Sequence, residues 1–142
     1  MKQAVTICLL LLLLQTSCQD NNPVANHILD FKAFQIEAPD TWRIIPSVGY
    51  DSQVGSLTDG RDALSYDYGW YSYTLKDETS ATHLRTMTTI DGRPALIVRP
   101  KKKGQGVIGL YITDDQNRLS LIGHDIRDET TILKLFNSVK FR

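Results

Sequence analysis

The sequence lacks the cysteines that a disulfide or a thiolate metal site would need. Of its two cysteines, Cys8 lies inside an apolar run near the N-terminus, and only Cys18 follows that run. If the run is a targeting segment that is cut off, Cys18 has no partner within the chain. A disulfide within the chain, a CxxC redox pair and a thiolate metal cluster are therefore excluded.

The sequence also has no surplus of either charge. Sixteen Lys and Arg residues balance sixteen Asp and Glu residues, so the formal net charge is zero. Loss of residues 1–17 would remove Lys2 and leave a net charge of about −1. A strongly basic balance would favour binding to nucleic acid, and this composition does not provide one. We therefore expect no nucleic-acid partner.

Residue patterns typical of a metal centre or a hydrolase are missing as well. His27, His83 and His124 are too far apart in sequence for an HxH or HExxH pair, and no Gly-x-Ser-x-Gly motif is present. We expect no metal site, no cofactor and no enzymatic activity. The alternative that stays open is a small envelope hydrolase that acts on a glycan or an ester, with Asp67, His83 or His124 in its site.

The longest apolar run is too short for a transmembrane helix. It covers about eleven residues, 4–14, whereas a helix that spans a bilayer needs ~20. With Lys2 before it, the run is typical of a secretory signal. We expect residues 1–17 to be a signal peptide that is removed.

The residues at the end of this run, Leu-Gln-Thr-Ser-Cys (14–18), resemble a bacterial lipobox. In a lipobox, small residues such as Thr16 and Ser17 precede a cysteine that becomes lipidated and forms the mature N-terminus. The resemblance implies that Cys18 is the lipid attachment site. Acyl chains such as palmitate would then hold the protein on a membrane, because each buried methylene contributes ~0.8 kcal/mol. We expect a cell-envelope location, at the outer membrane; the alternative is an ordinary signal peptide followed by an exported free thiol.

The chain after Cys18 changes character near residue 31. Residues 18–30 contain several Asn residues, one Pro and no periodic apolar pattern, so we predict a polar tether. From residue 31 onward, short runs of β-branched and aromatic residues are separated by Gly, Asp and Asn, which is typical of an antiparallel sheet. The predicted strands cover residues 31–37, 43–45, 53–58, 63–70, 85–90, 94–99, 107–113 and 118–123.

Three connections have sequences typical of hairpin turns. Asp91-Gly92 fits a two-residue type I′ loop, because Asp and Gly tolerate the positive φ that both positions need. Residues 58–61 (TDGR) and 114–117 (DDQN) fit four-residue hairpin loops. Together these turns predict a meander.

One helix is predicted, over residues 129–138, with Asp128 as its N-cap. Its apolar residues have helical spacing and share a face that we expect to cover the sheet; they are Ile132, Leu135, Phe136 and Val139. Residues 95–98 and 107–112 are apolar at nearly every position, which indicates strands covered on both faces. We therefore predict an α+β fold: a curved antiparallel sheet of six to eight strands, covered by the C-terminal helix and by a second layer from residues 24–29 or 76–84.

Three segments carry a resemblance to a known fold. FQIEAPDTWRI (34–44), VGYDSQVGSL (48–57) and ILKLFNSVKF (132–141) resemble the PsbP-like fold, in which an amphipathic strand leads into a Pro-x-x-Trp turn and a late helix returns to a short strand. YDYGWYS and IDGRPALIVRPKKKGQGV are similar to segments of small Bacteroidota-type lipoproteins. The resemblance implies a PsbP-like domain over residues 31–142 and a non-enzymatic accessory or assembly role.

The densest aromatic stretch is YDYGWYSY, residues 66–73. On an extended strand Tyr66, Tyr68 and Trp70 would share a face, with Tyr71 beside them. Such a row can stack on a glycan or anchor a protein partner. The alternative is that the row packs beneath the helix as core, with Gly69 at a bulge or a close backbone approach.

The single cluster of like charge is the segment RPKKKGQG, which contains Lys101, Lys102 and Lys103. It lies between two apolar strands and so in a hairpin loop. It can hold a phosphate, an anionic lipid headgroup or an acidic partner, and the alternative is a solvated loop. The leading hypothesis is a membrane-anchored binding or accessory domain with an envelope protein or a glycan as partner; a purely structural lipoprotein is a third possibility.

Overall fold

The computed structural model of the protein describes residues 25–142. The predicted signal peptide, the Cys18 attachment site and the first part of the predicted tether lie outside the described residues. The described part contains ten strands and one helix, in the order β1 (Asn26–Asp30), β2 (Phe34–Pro39), β3 (Arg43–Pro46), β4 (Gln53–Thr58), β5 (Ala63–Gly69), β6 (His83–Ile90), β7 (Arg93–Pro100), β8 (Val107–Asp114), β9 (Asn117–His124), α1 (Glu129–Asn137) and β10 (Lys140–Phe141).

The strands form two antiparallel sheets. The larger sheet has seven strands in the order β3-β4-β5-β9-β8-β7-β6, and the smaller has three in the order β1-β2-β10. The prediction of an antiparallel sheet of six to eight strands with a C-terminal helix is thus confirmed for the larger sheet, and the separate three-stranded sheet was not predicted. The curvature of the sheet and its coverage by the helix stay predictions.

The larger sheet is not one continuous meander. β5 pairs with β9 and not with β6, so that Leu64 lies opposite Gly123 and Tyr68 lies opposite Leu119. Residues 70–82 carry the chain from β5 to β6 at the far edge of the sheet. The meander predicted from turn signals is wrong at this connection, because a turn residue sets a local chain reversal and has no influence on which distant strand pairs next.

Apolar side chains lie on both faces of the larger sheet. In β8 and β9, Leu110 and Leu121 belong to the larger hydrophobic cluster, while their neighbours Tyr111 and Ile122 pack against a smaller one. Successive side chains of a strand point to opposite faces, so both faces of the central strands are in contact with apolar groups. This explains why β7 and β8 are apolar at nearly every position.

The larger cluster joins both sheets and the helix. Phe34 and Ile36 of β2, Leu121 of β9, and Leu135 and Phe136 of α1 are all fully buried in it. Burial of each such side chain stabilises the fold by ~1.5–3 kcal/mol relative to exposure. The helix and the small sheet are therefore parts of one core with the larger sheet.

The smaller cluster is formed by the connection between β5 and β6. Leu75 of this connection is fully buried with Leu96 and Val98 of β7. A Cβ at Gly109 would lie 2.7 Å from a methyl group of Leu75, so this side chain rests directly on the backbone of β8. The connection overlaps residues 76–84, one of the two candidates for the second layer.

Strand β1 occupies residues that were predicted to be tether. It pairs with β2 over its whole length, and Leu29 is 5% exposed. The strand was missed because Leu29 is its single buried side chain, so its sequence shows no alternation. Residues 31–33 form a turn instead of the predicted strand start: Lys32 has a φ of 69°, and its N–H donates to Oδ1 of Asp30 at 2.8 Å.

The remaining predicted strands agree with the structure within two residues at each end. Asp91 and Gly92 have φ values of 49° and 74°, which confirms the type I′ turn. The 114–117 hairpin is tighter than predicted, because Asp114 pairs directly with Asn117 and leaves two residues in the loop.

The helix begins where its cap was predicted. Oδ1 of Asp128 accepts the N–H of Thr131 at 3.1 Å, and Oδ2 accepts its hydroxyl at 2.6 Å. These hydrogen bonds hold the pKa of Asp128 below its usual value; the bond from the Thr131 hydroxyl has the larger effect and the bond from the Thr131 N–H the next largest. Between residues 25 and 142, no helix is long enough and apolar enough to cross a membrane.

Candidate functional site

The predicted aromatic row is divided between the core and the surface. Tyr66 is 4% exposed, and its ring meets the ring of Phe31 edge to face at 4.9 Å between centroids. Desolvation by burial raises the pKa of Tyr66. Tyr66 is thus a core residue, as the alternative interpretation had it.

Tyr68 is half-buried and held by hydrogen bonds. Its hydroxyl donates to Oδ2 of Asp114 at 2.6 Å, while Nε of Arg93 donates to Oδ1 of the same carboxylate at 2.7 Å. Desolvation, followed by the bond to Asp114, raises the pKa of Tyr68. The guanidinium of Arg93 also lies 4.3 Å from the ring centroid of Phe141. Tyr68 therefore ties β5 to the β8–β9 hairpin.

Trp70 and Tyr71 leave the sheet and lie on the surface. They are 53% and 83% exposed. The chain turns here because the buried Ser72 accepts the N–H of Gly69 at 3.1 Å and is within hydrogen-bond distance of the carbonyl oxygen of Arg118, at 2.9 Å. The guanidinium of Arg118 in turn lies 4.7 Å from the ring centroid of Trp70, where a cation–π contact holds the indole.

A second loop that the sequence reasoning missed adds to these two residues. Val48 and Tyr50, between β3 and β4, are fully exposed. A Cβ at Gly69 would lie 2.4 Å from the Cβ of Ser52, so the two loops touch, and only glycine permits this approach. An aromatic residue between Gly49 and Asp51, outside any strand pattern, was the available signal. We call Val48, Tyr50, Trp70 and Tyr71 the aromatic surface.

The three predicted lysines lie in the loop between β7 and β8, residues 101–106, which we call the lysine loop. All three side chains are exposed, and Nζ of Lys101 donates to the carbonyl of Ala81 at 3.2 Å. Within the described residues, none of their ammonium groups lies within 4.0 Å of a carboxylate. Their charge is therefore not neutralised by an ion pair in this part of the chain.

The aromatic surface and the lysine loop lie at opposite ends of the larger sheet. The aromatic surface adjoins Gly69 at the end of β5. The lysine loop leads into β8, where Ile108 pairs with Gly123, and Gly123 pairs on its other side with Leu64 at the start of β5. The rise of ~3.3 Å per strand residue places about 17 Å between the two ends. One small partner cannot contact both.

The residues of the alternative hydrolase site are not brought together. Asp67 lies opposite Ser120, and His124 is four residues further along β9, about 13 Å away along the strand. His83 lies on β6, four strands from β5, which corresponds to about 19 Å. Its Nδ1 is 2.8 Å from the hydroxyl of Thr82.

The single contact between a histidine and a carboxylate in the described residues involves neither His83 nor His124. Nδ1 of His27 lies 3.5 Å from Oδ1 of Asp40, and both side chains are more than a third exposed. In the same part of the chain, no group of three His, Cys, Asp or Glu side chains is placed to hold a metal ion.

Asp67 does line a shallow cavity of about 640 Å³, together with Tyr73, Ser120 and Ile122. Its Oδ1 is buried and has no hydrogen-bond partner within the described residues. At the rim, desolvation and the nearby carboxylates of Glu78 and Asp77 raise the pKa of Tyr73 to about 12, so this hydroxyl stays protonated at neutral pH. The cavity lining thus combines the Asp67 carboxylate with serine hydroxyls, among them that of Ser120 directly opposite Asp67, and within the described residues it includes no histidine.

Comparisons with known proteins bear on the fold. No family model matches the chain, and no curated protein matches it. The solution structure of cyanobacterial PsbP (CyanoP) from Synechocystis sp. PCC 6803 is similar, with a TM-score of 0.52 and 14% sequence identity, over 89% of this chain and 98% of that one. The resemblance noted in the sequence is thereby confirmed: the chain has a PsbP-like fold.

Proposed function

We propose that the protein is a cell-envelope lipoprotein, held on the outer membrane by acyl chains on Cys18, and that its PsbP-like domain is a non-enzymatic binding or accessory module. In this proposal the curved sheet and its covering helix form a rigid body that presents the aromatic surface. The observation that carries the proposal is the exposure of four large apolar side chains on two touching loops: Val48, Tyr50, Trp70 and Tyr71.

Large exposed apolar side chains that are grouped on one surface mark interaction sites more often than scattered ones do. Trp and Tyr are the residues that most often dominate binding energy, since they bury a large area and keep a polar end. Contact with Arg118 already orders Trp70, so less side-chain entropy is lost when a partner covers it. An envelope protein or a glycan is the partner class that suits such a surface.

Photo-cross-linking in intact cells tests this proposal. A cross-linking amino acid replaces Tyr71, and the captured material is identified by mass spectrometry. The matched control carries the same group at Met87, which is 72% exposed but lies on β6 at the edge of the sheet. We expect one captured species at position 71, and we expect Tyr50→Ala with Trp70→Ala to abolish its capture.

Equal capture at both positions, or capture that survives the double substitution, would exclude the aromatic surface as the binding site. Capture of glycan fragments at position 71 would identify the partner class as carbohydrate, and capture of peptides would identify it as protein.

The hydrolase alternative is favoured by one observation, the unpartnered Oδ1 of Asp67 in its cavity. Its test is an assay of the purified protein on envelope glycans and on ester substrates. Turnover that disappears in Asp67→Asn would support it, and absence of turnover in the unaltered protein would contradict it.

A further inference from the structure

We propose, on the basis of the lipid anchor proposed above, that the lysine loop docks on the anionic headgroups of the same membrane. Lys101, Lys102 and Lys103 then contact lipid phosphates, and the aromatic surface points away from the bilayer. The two predicted binding features thus have different ligands, one lipid and one partner.

The chain enters the domain beside the N-terminus of the helix. Ala25 is the first described residue, and its carbonyl accepts the N–H of Asp40 at 3.0 Å. Pro39 and Thr41, on either side of Asp40, line a cavity of about 210 Å³. The same cavity is lined by the helix cap Asp128. The point at which the tether arrives is therefore adjacent to the start of α1.

The lysine loop is joined to the same region. Oδ1 of Asp125, three residues before the helix cap, accepts the N–H of Gly106 at 2.6 Å, and its N–H donates to the carbonyl of Gly106 at 2.9 Å. Arg99 lies two residues before the loop, near the end of β7. Its Nη1 lies 3.0 Å from Oε1 of Glu129, in the first turn of α1, and the two side chains form an ion pair. The tether, the helix N-terminus and the lysine loop therefore share one end of the domain.

The length of the tether keeps this end close to the membrane. Six residues lie between Cys18 and Ala25, and the seven steps from one to the other span at most about 25 Å at ~3.6 Å each. The strand next to the chain entry, β3, and the strand after the lysine loop, β8, are four positions apart in the sheet, which corresponds to about 19 Å. The maximum span of the tether, about 25 Å, is thus comparable to the distance of about 19 Å between the chain entry and the lysine loop. A tether of this length allows the loop to reach the headgroups.

The charge of the loop fits this ligand. Its three ammonium groups are exposed and, within residues 25–142, have no carboxylate within 4.0 Å. Basic residues at an anionic surface each add favourable binding energy within about one Debye length, ~8 Å. A free protein needs a larger basic cluster to bind such a surface, but an anchor raises the local concentration of lipid and makes three lysines sufficient.

The test uses the full lipidated chain in vesicles that contain a headgroup-linked quencher. One protein carries a fluorophore on Gln105→Cys in the lysine loop, and a second carries it on Gln116→Cys, in the turn at the aromatic end; both glutamines are exposed. The vesicles are phosphatidylcholine alone, or equal parts of phosphatidylcholine and phosphatidylglycerol. We expect strong quenching of the label at position 105 in the anionic vesicles and none at position 116.

Each lysine changed to Gln should lower the ratio of docked to undocked protein by about fivefold, since one basic residue contributes roughly that factor at an anionic surface. The matched control, Lys32→Gln with Lys76→Gln and Lys140→Gln, changes the net charge as much as the triple substitution in the loop. We expect it to leave the quenching unchanged.

Flotation with the vesicles separates the two proposals. Protein that does not float overturns the lipid anchor and this orientation with it. Three results for protein that floats would overturn the orientation and leave the anchor intact. They are no quenching at position 105, equal quenching in both kinds of vesicle, and quenching at position 116.

Discussion

The guanidinium of Arg118, in β9, lies 4.7 Å from the ring centroid of Trp70, in the turn after β5. Gly69 and Arg118 are direct partners across the two strands, so the pairing of β5 with β9 creates this contact. The sheet thereby orients the half-exposed indole of the aromatic surface.

Replacing Arg118 with Gln should loosen the indole and weaken binding with little loss of stability. An exposed cation–π contact contributes ~0.5–1 kcal/mol, so we expect a few-fold loss of cross-linking at position 71. Acrylamide quenching of Trp70, measured in a Trp42→Phe background, should increase. Arg127→Gln, an exposed arginine at the other end of the sheet, is the control, and equal effects of both changes would contradict the assignment.

Gly69→Ala should separate the two loops that form the aromatic surface. The added methyl group would lie 2.4 Å from the Cβ of Ser52, a contact that the backbone must move to relieve. We expect the free energy of unfolding to fall by ~1–3 kcal/mol, measured by urea denaturation, with loss of capture at position 71. Ser52→Gly removes the opposing Cβ, so the double variant should recover part of the free energy of unfolding and part of the capture at position 71. If neither recovers, the contact with Ser52 is not the cause of the loss.

The N-cap carboxylate makes stability depend on pH. Hydrogen bonds from Thr131 lower the pKa of Asp128 in the folded state from the ordinary 3.8. A lowered folded pKa stabilises the fold above the unfolded pKa, and this stabilisation is lost as the pH falls through the folded value. Asp128→Ala should lower the free energy of unfolding by about 1 kcal/mol at neutral pH, as for a typical cap. This difference from the unaltered protein should become smaller below pH 3.8. Urea denaturation over a pH series measures this difference, and a constant one would refute the role of the charge.

The lipid anchor is tested at the two cysteines. Metabolic labelling with an alkyne fatty acid should modify the protein, and Cys18→Ala should abolish the label. Cys8→Ala is the matched control, because Cys8 lies within the predicted signal peptide. Label that persists in Cys18→Ala, or is lost in Cys8→Ala, would contradict attachment at Cys18.

Much of the local structure was predictable because it depends on residues that are close in sequence. The type I′ turn at Asp91-Gly92 and the helix start at Asp128 both have the predicted geometry. The strand boundaries agreed for the same reason, apart from the two at the start of the domain. There, Leu29 is the single buried side chain of β1, so the sequence of β1 shows no alternation. A turn at Lys32 also makes β2 begin later than predicted.

The candidate site was only half predictable. The sequence left open whether the aromatic row is exposed or core; Trp70 and Tyr71 are exposed, while Tyr66 of the same row faces Phe31 in the core. A strand pattern shows which side chains share a face, but the direction of that face depends on the layer that packs against it. Tyr50 was missed because nothing in sequence connects it with a turn twenty residues later.

By itself, the sequence determined the turns, the helix cap, most strand limits and the expectation of a lipidated Cys18, since each depends on a few neighbouring residues. Only the tertiary structure decided the pairing of β5 with β9, the burial of Tyr66, the contact between the loops of Tyr50 and Trp70, and the opposite placement of the lysine loop. These features arise when strands far apart in sequence bury their apolar faces together. That burial depends on the whole core and not on any one segment.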